Sequence, residues 1–264
     1  MTAEYLPKMS KEYPTYRNQQ VQRYISALGD KIVAANGLHN KPYKYTFSVV
    51  DSKNVNAFAL PAGTVFVTAP LINMADSEAE LAGVVGHEIG HITARHTAER
   101  ITKAKKDSKK SWIFGLGGAL VGGAAGFGLG KLLCSKQDRE CLRRAATYGV
   151  AAGAGGGLLI QKFGFMANSR EDEMEADRIG FRTAYQAGYN GDHVGQFYSK
   201  LLKMEAQAKQ SGNNLLKPLV DAMSTHPPSK ERVVQMNQMA AEANSQNKII
   251  NTNEFDKVKR IING

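Results

Sequence analysis

Ala82-Gly83-Val84-Val85-Gly86-His87-Glu88-Ile89-Gly90-His91-Ile92 is the stretch around which the chain is organised. His87 and His91 are four residues apart, so on a helix their imidazoles share one face and can grip a single cation. Glu88 follows the first histidine and points to the rim of that face, within reach of water rather than of the metal. The pattern implies zinc-dependent hydrolysis of a peptide bond. One zinc per chain is held by two histidines and a third ligand from elsewhere, and a carboxylate takes the proton from the attacking water. Such a short pattern also recurs by chance, as a helix with two partly buried histidines, so its surroundings must decide.

Working outward, Ser77 is placed to cap this helix, with Glu80 at the capping-box position, and the apolar surface predicts a helix to about Ile101. Gly83, Gly86 and Gly90 are each costly inside a helix, by about 1 kcal/mol relative to alanine. Close packing of another backbone against the helix justifies them. Upstream, Asn56-Ala57-Phe58-Ala59-Leu60 and Thr64–Thr68 flank Pro61-Ala62-Gly63, the composition of a hairpin, and 43–51 alternates like a strand. A small antiparallel sheet beside the histidine helix is expected. Its edge at Asn56, Ala57, Phe58 and Ala59 would hold an extended peptide by main-chain hydrogen bonds, unless the sheet merely covers the core. Before it, Val21, Tyr24, Ile25, Leu28, Ile32 and Val33 recur at helical spacing between Arg17 and Ala35.

Downstream, Ile113–Gly130 and 145–165 are apolar and rich in glycine, joined by a charged loop. They read as a helical hairpin inserted at about 103–165. It either lies on the protein near the cleft, touches a membrane, or forms a partly disordered flap; its first segment has 18 residues without a charge, but eight are glycine, so it is a weak membrane span. Cys134 and Cys141, seven residues apart in the connecting loop, are expected to form a local disulfide, the alternative being two unpaired thiols. Ser169 then caps a helix with Asp172 three residues on, and Glu173 and Asp177 share one face of it. Each acid by itself also suits an ordinary solvated helix start. Thr225-His226-Pro227-Pro228-Ser229 makes a rigid turn before a further helix, and Thr252–Ile262 shows a last helical pattern.

Of 264 residues, 42% are hydrophobic, enough for a sizeable core, and disorder is excluded as a class. The net charge of +10 is concentrated in lysines and arginines flanking the glycine-rich insert. No nucleic-acid motif accompanies them, so nucleic acid is not an expected partner. The first twenty residues are polar and tyrosine-rich, which reads as a cytoplasmic protein or as a mature form without its export signal.

Four blocks of this sequence, Asn56-Ala-Phe-Ala-Leu-Pro-Ala-Gly63, His87-Glu-Ile-Gly-His91, Ser169-Arg170 with Glu173-Met-Glu-Ala-Asp177, and Thr225-His226-Pro227 with Arg232, occur in the order seen in the M48 family of zinc metallopeptidases. The chain resembles that family across 45–240, most closely its soluble or lipid-anchored bacterial envelope members. The resemblance implies an α+β, mainly helical zincin-like fold in a single domain, 1–264, carrying the insert. It implies Glu173 as third zinc ligand, Asp177 as the carboxylate behind a ligating histidine, expected to be His91, and His226 and Arg232 in the cleft. Either of the last two would then be the donor to the developing oxyanion, with Glu88 as the general base. The expected setting is the bacterial periplasm or envelope, in protein quality control. Expected partners are unfolded polypeptide and a membrane surface or outer-membrane assembly partner. The competing reading is a chaperone-like module with latent protease activity. A non-catalytic descendant would be expected to lose Glu88, and Glu88 is present. A covered site is also expected, through the hairpin or through His226 as a fourth ligand.

Overall fold

The computed structural model describes residues 13–40, 42–60, 62–99, 102, 168–211 and 225–264. The chain divides into two units, Met1–Arg95 with Asn168–Gly264, and His96–Ala167. The first holds the sheet and the helices named below. Of the second, 96–99 is described as helical. The hairpin expected within 103–165 lies outside the described residues. Cys134 and Cys141 lie there too, and the disulfide expected between them is withdrawn: among the described residues no disulfide bond is present. Seven-residue spacing in a loop permits two thiols to meet but does not compel it. Among the described residues no helix is long and apolar enough to cross a membrane.

Helix α1, Gln19–Ala35, begins where the Asn18 side chain accepts the amides of Gln20 and Val21, and it buries the apolar stripe expected of it. It lies on the sheet so closely that a Cβ at Gly29 would meet the Phe47 ring at 2.3 Å. The sheet comprises β1 (Thr46–Val50), β2 (Ala57–Ala59) and β3 (Thr64–Thr68), in the order β1-β3-β2. The hairpin of β2 and β3 is antiparallel, with Phe58 opposite Phe66. β1 joins β3 in parallel, Thr46 beside Thr64, so the sheet is mixed. Alternation along a strand reveals its two faces but not its direction, because side chains alternate identically either way. The outer flank of β1 is covered: Tyr16 N donates to Val49 O, and the Gln22 side chain bonds both Val49 N and Val49 O. β2 has one ladder neighbour, β3, among the described residues.

Helix α2, Ala69–Met74, leads into α3, Glu78–Thr93, which carries the histidines and is buried from Glu78 to Ile92. Ser77 accepts from Glu80 N as expected, while the Glu80 carboxylate accepts from Asp76 N and so caps one residue earlier than a capping box requires. The helix ends before Ile101: Ala94 is its C-cap and Arg95 has a φ of 64°, left-handed backbone that cannot continue it. Helix α4, Arg170–Gln186, has the full capping box of Ser169 and Asp172. It crosses α3 in backbone contact. A Cβ at Gly86 would lie 2.6 Å from Gly180 O, one at Gly90 2.8 Å from Ala176 O, and one at Gly180 2.6 Å from His87 N. The glycines inside α3 are the means by which two helices bearing opposite chemistry approach each other.

Helices α5 (Gly191–Val194), α6 (Gln196–Ser211), α7 (Lys230–Glu242) and α8 (Asn253–Asn263) complete the unit. Ser229 caps α7 through Arg232 N, and Thr252 caps α8 through Phe255 N. The segment before α8 also closes the start of α3, where Ala79 N donates to Ile250 O and Glu78 N to Asn251 Oδ1. Two otherwise orphaned amides of the histidine helix are thereby satisfied by the far end of the chain.

Candidate metal centre

Three elements converge. α3 contributes His87 and His91 from one face, α4 contributes Glu173 and Asp177 from the face opposed to it, and the turn before α7 contributes His226. Ligating atoms of His87, His91, Glu173 and His226 all lie within 4.8 Å of one another. His87 Nε2 is 2.9 Å from His91 Nε2 and 3.2 Å from His226 Nδ1. Glu173 Oε1 is 3.2 Å from His91 Nε2 and 3.1 Å from His226 Nδ1. The first three residues are almost wholly buried.

The donor chemistry fits a divalent metal such as zinc. Two imidazole nitrogens facing each other at 2.9 Å cannot both carry protons, so at least one lone pair points into the shared space. A carboxylate and three imidazoles, three of the four residues buried and His226 partly so, are a donor set of the kind zinc takes.

Behind the donors stands a second layer of charge. Asp177 Oδ1 is 2.8 Å from His87 Nδ1. The carboxylate expected behind His91 is therefore behind His87, because α4 crosses α3 one turn nearer its N-terminus, with Gly180 against His87. Arg232 is 1% exposed and grips Asp177 with two hydrogen bonds of 2.7 Å, from Nε and Nη2. Its Nη1 lies 2.8 Å from Glu173 Oε2 and donates to Pro227 O at 3.0 Å. The structure thus places Arg232 behind the donors, joined to Asp177, Glu173 and the turn that bears His226, with Tyr198 stacked 4.5 Å from its guanidinium carbon.

These contacts set the ionisation of the group. Burial alone would raise the Glu173 carboxyl, but His226, Arg232 and His87 hold it well below the usual range. Burial likewise opposes a charge on Asp177, and the paired Arg232 outweighs it, lowering that carboxyl too. For His87, burial acts downward, yet Glu173 and Asp177 raise its pKa to about 9. His91 is driven far down, by burial and then by the neighbouring His87. The two facing imidazoles are thus driven in opposite directions, as expected when two bases share one buried space.

Glu88, 2% exposed, stands outside the donor set with Oε1 3.4 Å from His226 Nε2. The His226 ring consequently spans from the donors, through Nδ1, to Glu88, through Nε2. Asn56 is buried beside β2, and its backbone amide donates to Thr68 Oγ1; Ala57 is buried and Phe58 and Ala59 half-buried. Sequence reasoning assigned no role to Asn168 or Tyr198. Asn168 precedes the Ser169 cap and reaches the donors, and Tyr198 on α6 lies 5.6 Å, ring to ring, from His87. Proximity of Asn168 to the motif was a usable signal. For Tyr198 there was none, since α6 enters the site only through the fold.

Comparison with known proteins agrees with this geometry. The chain is 27% identical over 219 residues to the beta-barrel assembly-enhancing protease of Yersinia pestis, a match covering 83% of this chain and 40% of that protein. With the protein of the same name from Escherichia coli (strain K12) it shares 26% over 229 residues, covering 87% and 41%. With the mitochondrial metalloendopeptidase OMA1 of Arabidopsis thaliana it shares 32% over 225 residues, covering 85% and 37%. The chain therefore spans about two fifths of the length of these relatives. Residues 19–240 match the description of peptidase family M48, and they include all four donors, Glu88 and the Asp177–Arg232 pair. By that match and by the helix pair that carries its donors, the chain belongs to peptidase family M48.

Proposed function

We propose that this chain is a zinc-dependent endopeptidase acting on unfolded or extended polypeptide in the bacterial envelope, with 1–264 forming one peptidase domain and its insert at about 103–165. The observation that carries the reading is the convergence of His87, His91, Glu173 and His226 beside the buried carboxylate of Glu88. His87, His91 and Glu173 would hold the zinc, and the chemistry it supplies when bound is Lewis acidity toward a peptide carbonyl and toward water.

The protein's own residues do the rest. Glu88 takes the proton of the attacking water and returns it to the leaving nitrogen. Asp177 accepts the Nδ1 proton of His87, which fixes the tautomer and leaves the Nε2 lone pair facing the donor set. Arg232 neutralises Asp177 and Glu173 behind the site and anchors the turn at Pro227. His226 stands between the donors and Glu88, where substrate must enter, so the arrangement described is a closed one. β2, with Asn56, Ala57, Phe58 and Ala59, offers a ladder edge to an extended peptide. Two relatives are named for enhancing beta-barrel assembly, which supports a partner in that assembly; the setting proposed with it is the periplasm, at the outer membrane.

The test is turnover of casein by zinc-loaded protein, in the natural sequence and in the His226→Ala background, so that a closed site is not mistaken for an inert one. Activity should vanish on chelation and fall by a factor of about 10² to 10⁴ in Glu88→Gln, the range a positioned general base contributes. Undiminished turnover in Glu88→Gln refutes the mechanism. Folded, zinc-loaded protein inert in both backgrounds favours a binding module.

A further inference from the structure

Asn168 touches the donors of the metal centre directly, and the function above leaves it without work. It is half-buried and sits immediately before the Ser169 cap of α4. Its Nδ2 donates to Glu173 Oε1, and it lies 3.2 Å from His91 Nε2, 3.4 Å from His226 Nδ1 and 3.4 Å from Thr225 O. A carboxamide nitrogen has two protons, and here four polar atoms surround it, two of them oxygens that accept and two of them imidazole nitrogens. Three of the four belong to the residues whose lone pairs define the cation site. The nitrogen, with its partial positive charge on hydrogen, occupies the space on which those donors converge. Its own oxygen is buried and has no hydrogen-bond partner among the described residues, so no contact there draws the amide elsewhere.

A metal and an amide nitrogen cannot share that space. The donors would have to turn their lone pairs from N–H groups to the cation, and the amide would have to withdraw. We propose that Asn168 is a positioning residue that acts as an internal competitor of the metal. It holds Glu173, His91 and His226 together when no cation is bound, and it is displaced when one is. This rests on the reading of the four donors as a metal site. Its contribution falls on the metal-free state alone, and linkage then requires that it weaken metal binding by the amount it stabilises that state.

The sign separates this from the alternatives. A ligand, once removed, weakens binding. A residue that only shapes the start of α4 lowers the stability of both states alike and leaves affinity unchanged. An internal competitor, once removed, tightens binding and lowers the melting temperature of the metal-free protein only. A hydrogen bond to an ionised carboxylate is worth about ten- to a hundredfold in an equilibrium constant, which sets the scale.

The experiment uses the full chain, stripped of metal and titrated with zinc against a chromophoric chelator, with melts of metal-free and loaded forms. Asn168→Ala should bind zinc about tenfold or more tightly, melt lower when metal-free, and melt like the natural protein when loaded. Asn168→Asp keeps the shape, has no N–H, and sets a second carboxylate against Glu173; it should show the same pattern more strongly. The d–d absorption of the cobalt-substituted protein should be unchanged in Asn168→Ala, since no ligand is lost. Unchanged or weaker zinc binding in Asn168→Ala, or an altered cobalt spectrum, overturns the proposal. Failure of the natural protein to bind zinc overturns the metal reading itself, and is told apart by that measurement.

Discussion

Replacing Arg232 with methionine is the sharpest perturbation of the site that leaves every proposed ligand in place. The guanidinium makes contacts of 2.7, 2.7 and 2.8 Å to two carboxylates whose side chains are 0% and 2% exposed. Its own side chain is 1% exposed. Methionine fills much of the volume and removes all the charge, so Asp177 keeps His87, and Glu173 keeps the histidines, the Asn168 amide and any bound metal. Removing one partner of a buried ion pair costs about 3–5 kcal/mol, because the charge left behind has lost its water without compensation. The metal-free protein should lie at the upper end of that range and the zinc-loaded protein at the lower, the cation making up part of what Glu173 loses. At about 2–4 °C per kcal/mol for a unit of this size, the melting temperature should fall by roughly 6–20 °C. Arg232→Lys restores the charge but not the fork that bonds Asp177 through two nitrogens, and should recover part of the loss. Thermal melts of both variants, with and without chelator, decide it. If Arg232→Met lies within about 1 kcal/mol of the natural protein in both states, the guanidinium is not what holds these carboxylates, and the account of the second layer fails.

Three further outcomes are expected. His91→Ala should lose stoichiometric zinc by metal analysis of the purified protein, whereas one zinc per chain retained in the variant would remove His91 from the donor set. Gly180→Ala places a Cβ 2.6 Å from His87 N and 2.8 Å from His87 Cα, so α4 must back away from α3. Overpacking of this kind costs about 1–3 kcal/mol, and zinc affinity should fall together with stability; a variant that melts normally and binds zinc normally would contradict the close helix contact. His226→Ala should cleave casein faster than the natural sequence, since the ring that bridges the donors and Glu88 is gone. A folded, zinc-loaded variant that is no faster would show that this imidazole does not close the site.

Much of this was legible in the sequence. The period of α1, the caps at Ser77 and Ser169, and the i, i+4 pairing of His87 with His91 are local properties, set within a few residues by backbone geometry and hydrogen bonding. So was the inference from Gly83, Gly86 and Gly90 that another backbone must pass close to α3, because a missing Cβ inside a helix has few other uses. The pairing of Glu173 with Asp177 on one face was equally readable, and family resemblance supplied the role of each.

Only the tertiary structure decided which histidine Asp177 serves, since that depends on where along α3 the second helix crosses, and sequence spacing within one helix carries no information about its offset against another. The same holds for Arg232. The family resemblance implied a place in the cleft, but the fold turns α7 so that the guanidinium enters from behind and joins Asp177 and Glu173. The parallel direction of β1, the reach of Asn168 into the donor set and the place of Tyr198 under Arg232 are likewise long-range. Local sequence sets which side chains can act together along one element. The crossing of separate elements, fixed by the packing of the whole unit, sets which of them meet.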